Sequence, residues 1–375
     1  MPKLRMTLPK EFNDFCCKNM FNWSAENIEQ CRQMLAPCDP NAHDRGGYKE
    51  TALHKHIPLE IVEWLVERGS DVNIENTYGT PLFKHALAGD YDICKFLIEH
   101  GADVNIAAHA GRTALFHAVS GRNCEIVRLL LAHGADPCHH TVKWDECQTP
   151  LLHMLSEGTE AWHESKPDMA EALIKAQKEQ GGIPEEEWRK AREYVSDMGH
   201  KFELYKSGMS PDDSYCRQIE AVMNRFYIIF DITPAKPVIK HDGKSLIAVD
   251  ESLSVAKQHN ALWEFLVPPK GNCATLQGEV IRITGRVDRE INVNGGVNWN
   301  VEYQKMLEAL TQYFLQGNVL SEDEIKEAES AIKKINHFKA PLVCQEQIDY
   351  LAEAAVKWIK QNPEPILLEK VTYNL

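Results

Sequence analysis

The chain has 375 residues, 43% of them hydrophobic and 26% charged, and a formal net charge of -14. Its length predicts about two domains, and its acidity argues against bare nucleic acid as a partner, because binding phosphates takes a lysine- and arginine-rich surface. A basic protein partner fits better, since complementary charge speeds association.

The opening MPKLRMTLPKEF has no apolar run of the secretory kind. No window approaches the ~18 continuous apolar residues of a membrane span. The eleven cysteines are scattered and odd in number, and Cys94 and Cys124 sit where a packed helix buries a small apolar group. Such usage is that of a reduced compartment, so the expectation is a cytosolic protein that stays off membranes.

In chain order, residues 27–35 followed by Asp39-Pro40-Asn41 read as the outer half of a capping unit. Thr51-Ala52-Leu53-His54 then opens a unit that reaches Gly69, with a helix pair shortened around Pro58. Two fuller units follow. Thr80-Pro81-Leu82-Phe83 aligns with Thr113-Ala114-Leu115-Phe116, and Gly101-Ala102-Asp103 with Gly134-Ala135-Asp136, both at a spacing of 33 residues. Each threonine is placed to cap a short inner helix, and Pro81 suits a first helical position. Gly101 and Gly134 fall where a left-handed residue ends the outer helix, and Asp103 and Asn105 suit the turn into a projecting loop. Thr149-Pro150-Leu151-Leu152-His153 opens a fourth unit, interrupted around 157–166 before Met169-Ala170-Glu171-Ala172-Leu173-Ile174.

These residues resemble the ankyrin-repeat family over about 10–180, and the 33-residue period is the ankyrin one. The resemblance implies helix pairs joined by finger loops near 74–79, 107–112 and 140–148, with fingers and inner helices lining a concave protein-binding face. Positions not spent on packing are Tyr78, His109, Arg112, Lys143 and Trp144 on the fingers. On the inner helices they are Lys84, Leu87, His117 and Ser120. Trp144 stands out, because an aromatic side chain at a polar finger tip is costly unless covered.

Gly181-Gly182-Ile183-Pro184 punctuates the chain. Trp188, Ala191, Val195, Met198, Phe202 and Tyr205 form one apolar stripe of a helix ending near Gly208. A second helix starts near Ser210, with Tyr215, Ile219, Val222 and Phe226 inward. Residues 237–249 read as a short β-hairpin around Asp242-Gly243. Thr275 caps a helix with Leu276, Val280, Ile283, Val287 and Ile291 on one face, stopped at Asn294-Gly295-Gly296. Further helices start near Asn298, at Ser321 with Glu324 completing a capping box, and near Gln345. The fold class predicted is mainly α: an ankyrin-repeat solenoid (1–180), a helical extension (181–232), and a helical domain with a small β-hairpin (233–375). Leu262-Trp263-Glu264-Phe265-Leu266-Val267-Pro268-Pro269, and the segment from Thr275 to Trp299, also resemble a bacterial family of unassigned function, which implies a bacterial source and no activity.

Cys138, His139, His140, Cys147 and His153 gather potential zinc ligands within sixteen residues, but without paired CxxC spacing. No metal or other cofactor is expected. Glu279, Arg282, Arg286 and Glu290 share one helical face, either a solvated stripe with i,i+4 support or a carboxylate with anion-binding arginines. The function predicted is protein–protein interaction, in one form a bacterial immunity or antitoxin-like protein that blocks a toxin. The alternative is a secreted effector, or an enzyme whose C-terminal domain acts on a target recruited by the repeats.

Overall fold

The computed structural model describes residues 4–143, 146–156, 162–209, 213–269, 271–336, 345–368, 371 and 373, with the backbone alone at 109, 142, 143, 146 and 147. Contacts divide the chain into two compact units, Met1–His200 with Ser214–Ala235, and Lys201–Asp213 with Lys236–Leu375. Among the described residues the elements are overwhelmingly helical, and no helix is long and apolar enough to cross a membrane.

In the first unit, α1 (Phe12–Asn19) and α2 (Ala25–Leu35) form the cap, and the Ser24 hydroxyl accepts the Asn27 amide at the start of α2. A feature absent from the sequence reading closes this end. Strand β1 (Arg5–Thr7) pairs in parallel with β2 (Cys38–His43), which contains the Asp39-Pro40-Asn41 of the capping unit. Lys55 then ties cap to stack: its buried ammonium donates to Asn13 Oδ1 at 3.0 Å, Asp44 Oδ2 at 3.0 Å and the Glu50 carboxylate.

The shortened unit is a 3-10 turn, Ala52–His54, leading through Pro58 into α3 (Leu59–Glu67). The next two units are the helix pairs α4 (Pro81–Ala88) with α5 (Tyr91–Glu99), and α6 (Ala114–Ser120) with α7 (Cys124–Ala132). Inner helix packs on inner helix (α4 on α6) and outer on outer (α5 on α7). Burial explains the repeat pattern: Leu82, Ala86, Cys94 and Leu97 are fully enclosed, as are Leu115, Ala118, Val127 and Leu130. Gly101 and Gly134 take φ of +91° and +85° at the ends of the outer helices. The caps differ from expectation. At Thr51 the box closes, with the His54 ring as its second half, and Thr149 Oγ1 accepts the Leu152 amide. At Thr80 and Thr113 neither hydroxyl accepts a helix amide.

α8 (Pro150–Ser156) and α9 (Lys166–Glu179) form the fourth pair. α10 (Glu185–Lys206) follows, and α11 (Ser214–Phe230) packs on α9. The join is polar: buried Glu187 accepts from Thr149 Oγ1 at 2.6 Å and from Gln177 Nε2 at 2.8 Å. On α11, Ile219, Val222 and Phe226 are buried as expected, but Tyr215 is 52% exposed, because Cys216 takes the inward position of that turn.

The second unit packs α12 (Val255–Leu266), α13 (Leu276–Asp288), α14 (Val301–Phe314), α15 (Glu322–Asn336) and α16 (Gln345–Gln361) around one apolar core that includes Val280, Ile283, Phe314 and Trp358. Thr275 caps α13 through Gly278, and the Ser321–Glu324 box opens α15. No hairpin forms at 237–249. The Asp242 carboxylate instead collects the amides of Lys244 and Ser245 in a local turn. The flanking segments bond elsewhere, His241 N to Phe265 O and Ile247 N to Pro363 O. The antiparallel hairpin lies in the repeat region, between β3 (Thr141–Lys143) and β4 (Glu146–Gln148).

The charged face of α13 is a second correction. Glu279, Arg282 and Glu290 are buried, at 0%, 4% and 2% exposure. Glu279 takes the Arg282 guanidinium at 2.7 Å and the Tyr373 hydroxyl. The solvated stripe fails at these three positions because α13 packs against α12, α14 and α16, and of the four charged residues Arg286 alone keeps partial exposure.

Candidate protein-binding surface

The finger loops are registered by a ladder of asparagines. Asn73 donates to Gly101 O at 2.9 Å and accepts the Asp103 amide at 2.8 Å. Asn105 repeats both bonds one unit later, to Gly134 O and from the Asp136 amide. Within each loop an aspartate accepts the amide two residues on, as Asp103 does from Asn105. The sequence carries the ladder because each asparagine falls at the same repeat position.

Histidines stitch inner helices to the fingers. His54 sits under the second finger, its Nδ1 facing Thr51 and its Nε2 bonding Gly79 O at 3.1 Å, and burial pulls its pKa down to about 4. His139 bonds Gly111 O at 2.8 Å, and Thr141 bonds Ala110 O. Among the described residues no three His, Cys, Asp or Glu side chains gather as metal ligands would.

The residues singled out in the sequence fall into distinct settings. Tyr78 is 56% exposed and Leu87 45% exposed. Lys84 is engaged, its ammonium 3.3 Å from Glu50 Oε1. His117 is half-buried and stacked on Phe83 at 5.3 Å, and burial lowers its pKa to about 4, so it presents a neutral ring. Ser120 Oγ lies 2.9 Å from His153 Nε2, which commits that hydroxyl to the next repeat. Arg112 is half-buried on the third finger. For His109 and Lys143 only the backbone is described, and Trp144 lies outside the described residues.

One member of this surface was missed. Tyr48, on a loop at 44–50 that serves as a first finger ahead of the one at 74–79, is 51% exposed and pairs with Tyr78 at a ring separation of 4.6 Å. The neighbouring Tyr48 hydroxyl holds the Tyr78 phenol above its usual pKa. The two fingers are joined beneath the rings, where the Thr77 amide donates to Tyr48 O at 3.2 Å. Tyr48 precedes the first threonine of the repeat pattern, so alignment alone gave it no repeat position. Behind this finger a cleft of about 360 Å³, lined by Phe12, Asn13, Asp44 and Lys55, is floored by an ammonium whose three donors are all used.

A family model described as ankyrin repeats (3 copies) matches residues 20–106 and 55–141. The N-terminal region carries ankyrin repeats. Such repeats are a protein–protein interaction module. No curated protein matches the chain.

Proposed function

We propose that this protein grips a basic protein partner across the concave face of its ankyrin stack, and that doing so blocks the partner, as an immunity or antitoxin-like protein blocks a toxin in a bacterial cytosol. The observation that carries the reading is the run of half-exposed apolar and aromatic side chains on adjacent repeats: Tyr48, Tyr78 and Leu87. Such groups cost little to leave singly exposed but form anchors once a partner excludes water. Arg112, His117, Lys84 and Ser120 would add polar contacts from successive repeats, and the fingers carrying His109, Lys143 and Trp144 would close the far end. The net charge of -14 supports a basic partner.

The rival reading of an enzyme drew on the Glu279–Arg282 face. A carboxylate that acts on a substrate must meet it, and Glu279 is fully enclosed and paired. Its support is weakened accordingly.

The test is affinity capture with the intact chain, identification of the partner by mass spectrometry, and surface plasmon resonance on the purified pair. Arg112→Ala and Trp144→Ala should each weaken binding at least ~30-fold, about 2 kcal/mol. Circular dichroism should be unchanged, and added salt should slow association more than it speeds release. Variants that bind like wild type, or an acidic partner, would overturn the reading.

A further inference from the structure

We infer that the loop joining α13 to α14 in the second unit is a separate docking surface, shaped for a protein segment that combines apolar side chains with carboxylates. After Asp288 the helix widens into a π-turn, Arg289–Val293, and the chain turns through Gly295 and Gly296, at φ of +65° and +75°. Wide turns of this kind cost hydrogen-bond geometry and concentrate at functional places. The loop is nonetheless rigidly held. Buried Glu290 lies beneath it and accepts from Asn294 Nδ2 at 3.0 Å, the Asn298 amide at 2.6 Å, Asn298 Nδ2 at 3.2 Å and the Tyr303 hydroxyl at 3.4 Å. Trp299 stacks on Tyr303 at 5.2 Å, and the Asn300 side chain caps α14 through the amides of Glu302 and Tyr303.

What this pinned loop shows to solvent is apolar. Val293, Val297 and Val301 are 76%, 83% and 58% exposed. The buried carboxylate and the indole hold the loop from below, while the valines on top are left largely exposed by the described residues. A solvated loop has no need of three exposed valines or of a buried charge to fix it, whereas a preorganised apolar surface lowers the entropy cost of docking.

The charge beside it selects the occupant. Arg286 and Arg289 pair with no carboxylate among the described residues: Glu290, four positions after Arg286, is taken by amides and a phenol, and Arg289 lies over the Trp263 ring at 5.7 Å. In a chain of net charge -14, two guanidinium groups left without acidic partners beside an apolar loop complement carboxylates from outside. The occupant is therefore an acidic, apolar protein segment, opposite in charge to the partner proposed for the repeats.

A phage-displayed library of random 16-residue peptides, panned on the intact chain and on variants, tests this. Peptides that bind wild type should combine at least two Asp or Glu with Leu, Ile, Val or Phe. Their affinity should fall at least ~10-fold with Val297→Asp and with Arg289→Ala separately, and should survive Tyr78→Ala on the fingers. Val297→Ser provides a milder change if Val297→Asp lowers the melting temperature, and should give a smaller loss. The inference is overturned if no selected peptide depends on Val297 or Arg289, or if the peptides that do are basic or uncharged. Loss of binding only in Tyr78→Ala would place all recognition on the repeats and would also overturn it.

Discussion

His54 makes the stability of the shortened first repeat depend on pH with a definite sign. Folded, the ring is 1% exposed and its pKa is depressed to about 4 from 6.5. The unfolded chain therefore takes up a proton that the folded chain refuses between those values. Stability from His54 is fully present above about pH 6.5, is lost as pH falls toward 4, and changes no further below that. The difference between pH 7 and pH 5 works out at about 2 kcal/mol for this one side chain. His117 adds a smaller loss of the same sign, since it is only half-buried. His54→Gln removes the titration and leaves an amide able to donate to Gly79 O. At pH 7 it should cost about 1–2 kcal/mol through the broken Thr51 cap. Hydrogen–deuterium exchange on peptides covering residues 50–70, corrected for intrinsic rate, reports opening of this repeat alone. Between pH 7 and pH 5 the wild type should lose about 2 kcal/mol more than the variant. Equal losses in the two proteins, or a His54 imidazole that titrates above pH 6 by NMR, would refute the burial argument.

Lys55→Ala leaves Asp44 and Glu50 facing each other without their cation. With both carboxylates partly solvated, the cost should be about 2 kcal/mol and a fall in melting temperature of roughly 4–8 °C by calorimetry; an unchanged temperature would mean the cap does not depend on this knot. Gly121→Ala should destabilise more than Gly101→Ala in urea titrations. A Cβ at 121 would sit 2.3 Å from Leu87 O, whereas at 101 it meets open space and only the left-handed φ of +91° resists it, at about 1 kcal/mol. The reverse order would show that backbone conformation outweighs inter-repeat packing here. Chelators should leave the melting temperature unmoved and elemental analysis should find no zinc; one zinc per chain with a shift of several degrees would put Cys138, Cys147 and His153 back into consideration.

The repeat stack was legible in the residues themselves, because an ankyrin unit buries the same positions every 33 residues and its asparagines, glycines and threonines recur with them. Local chemistry also announced the caps at Ser321 and Thr275 and the turn at Asp242. Nothing in a linear pattern could decide which partners an extended segment finds: Pro237 to Val249 alternates like a hairpin, yet its amides bond Phe265 and Pro363, far along the chain. The same limit hid β1, whose partner is over thirty residues away, and Tyr48, which joins the surface only when two fingers meet. The face of α13 shows the reason most plainly. Glu279, Arg282 and Glu290 have the spacing of a solvated helix face, and periodicity assigns charge to water. Tertiary packing encloses the Glu279, Arg282 and Glu290 positions, so these groups find partners in Tyr373, in one another and in the loop that Glu290 holds in place. Periodicity records which residues share a face; only the packed structure determines what that face meets.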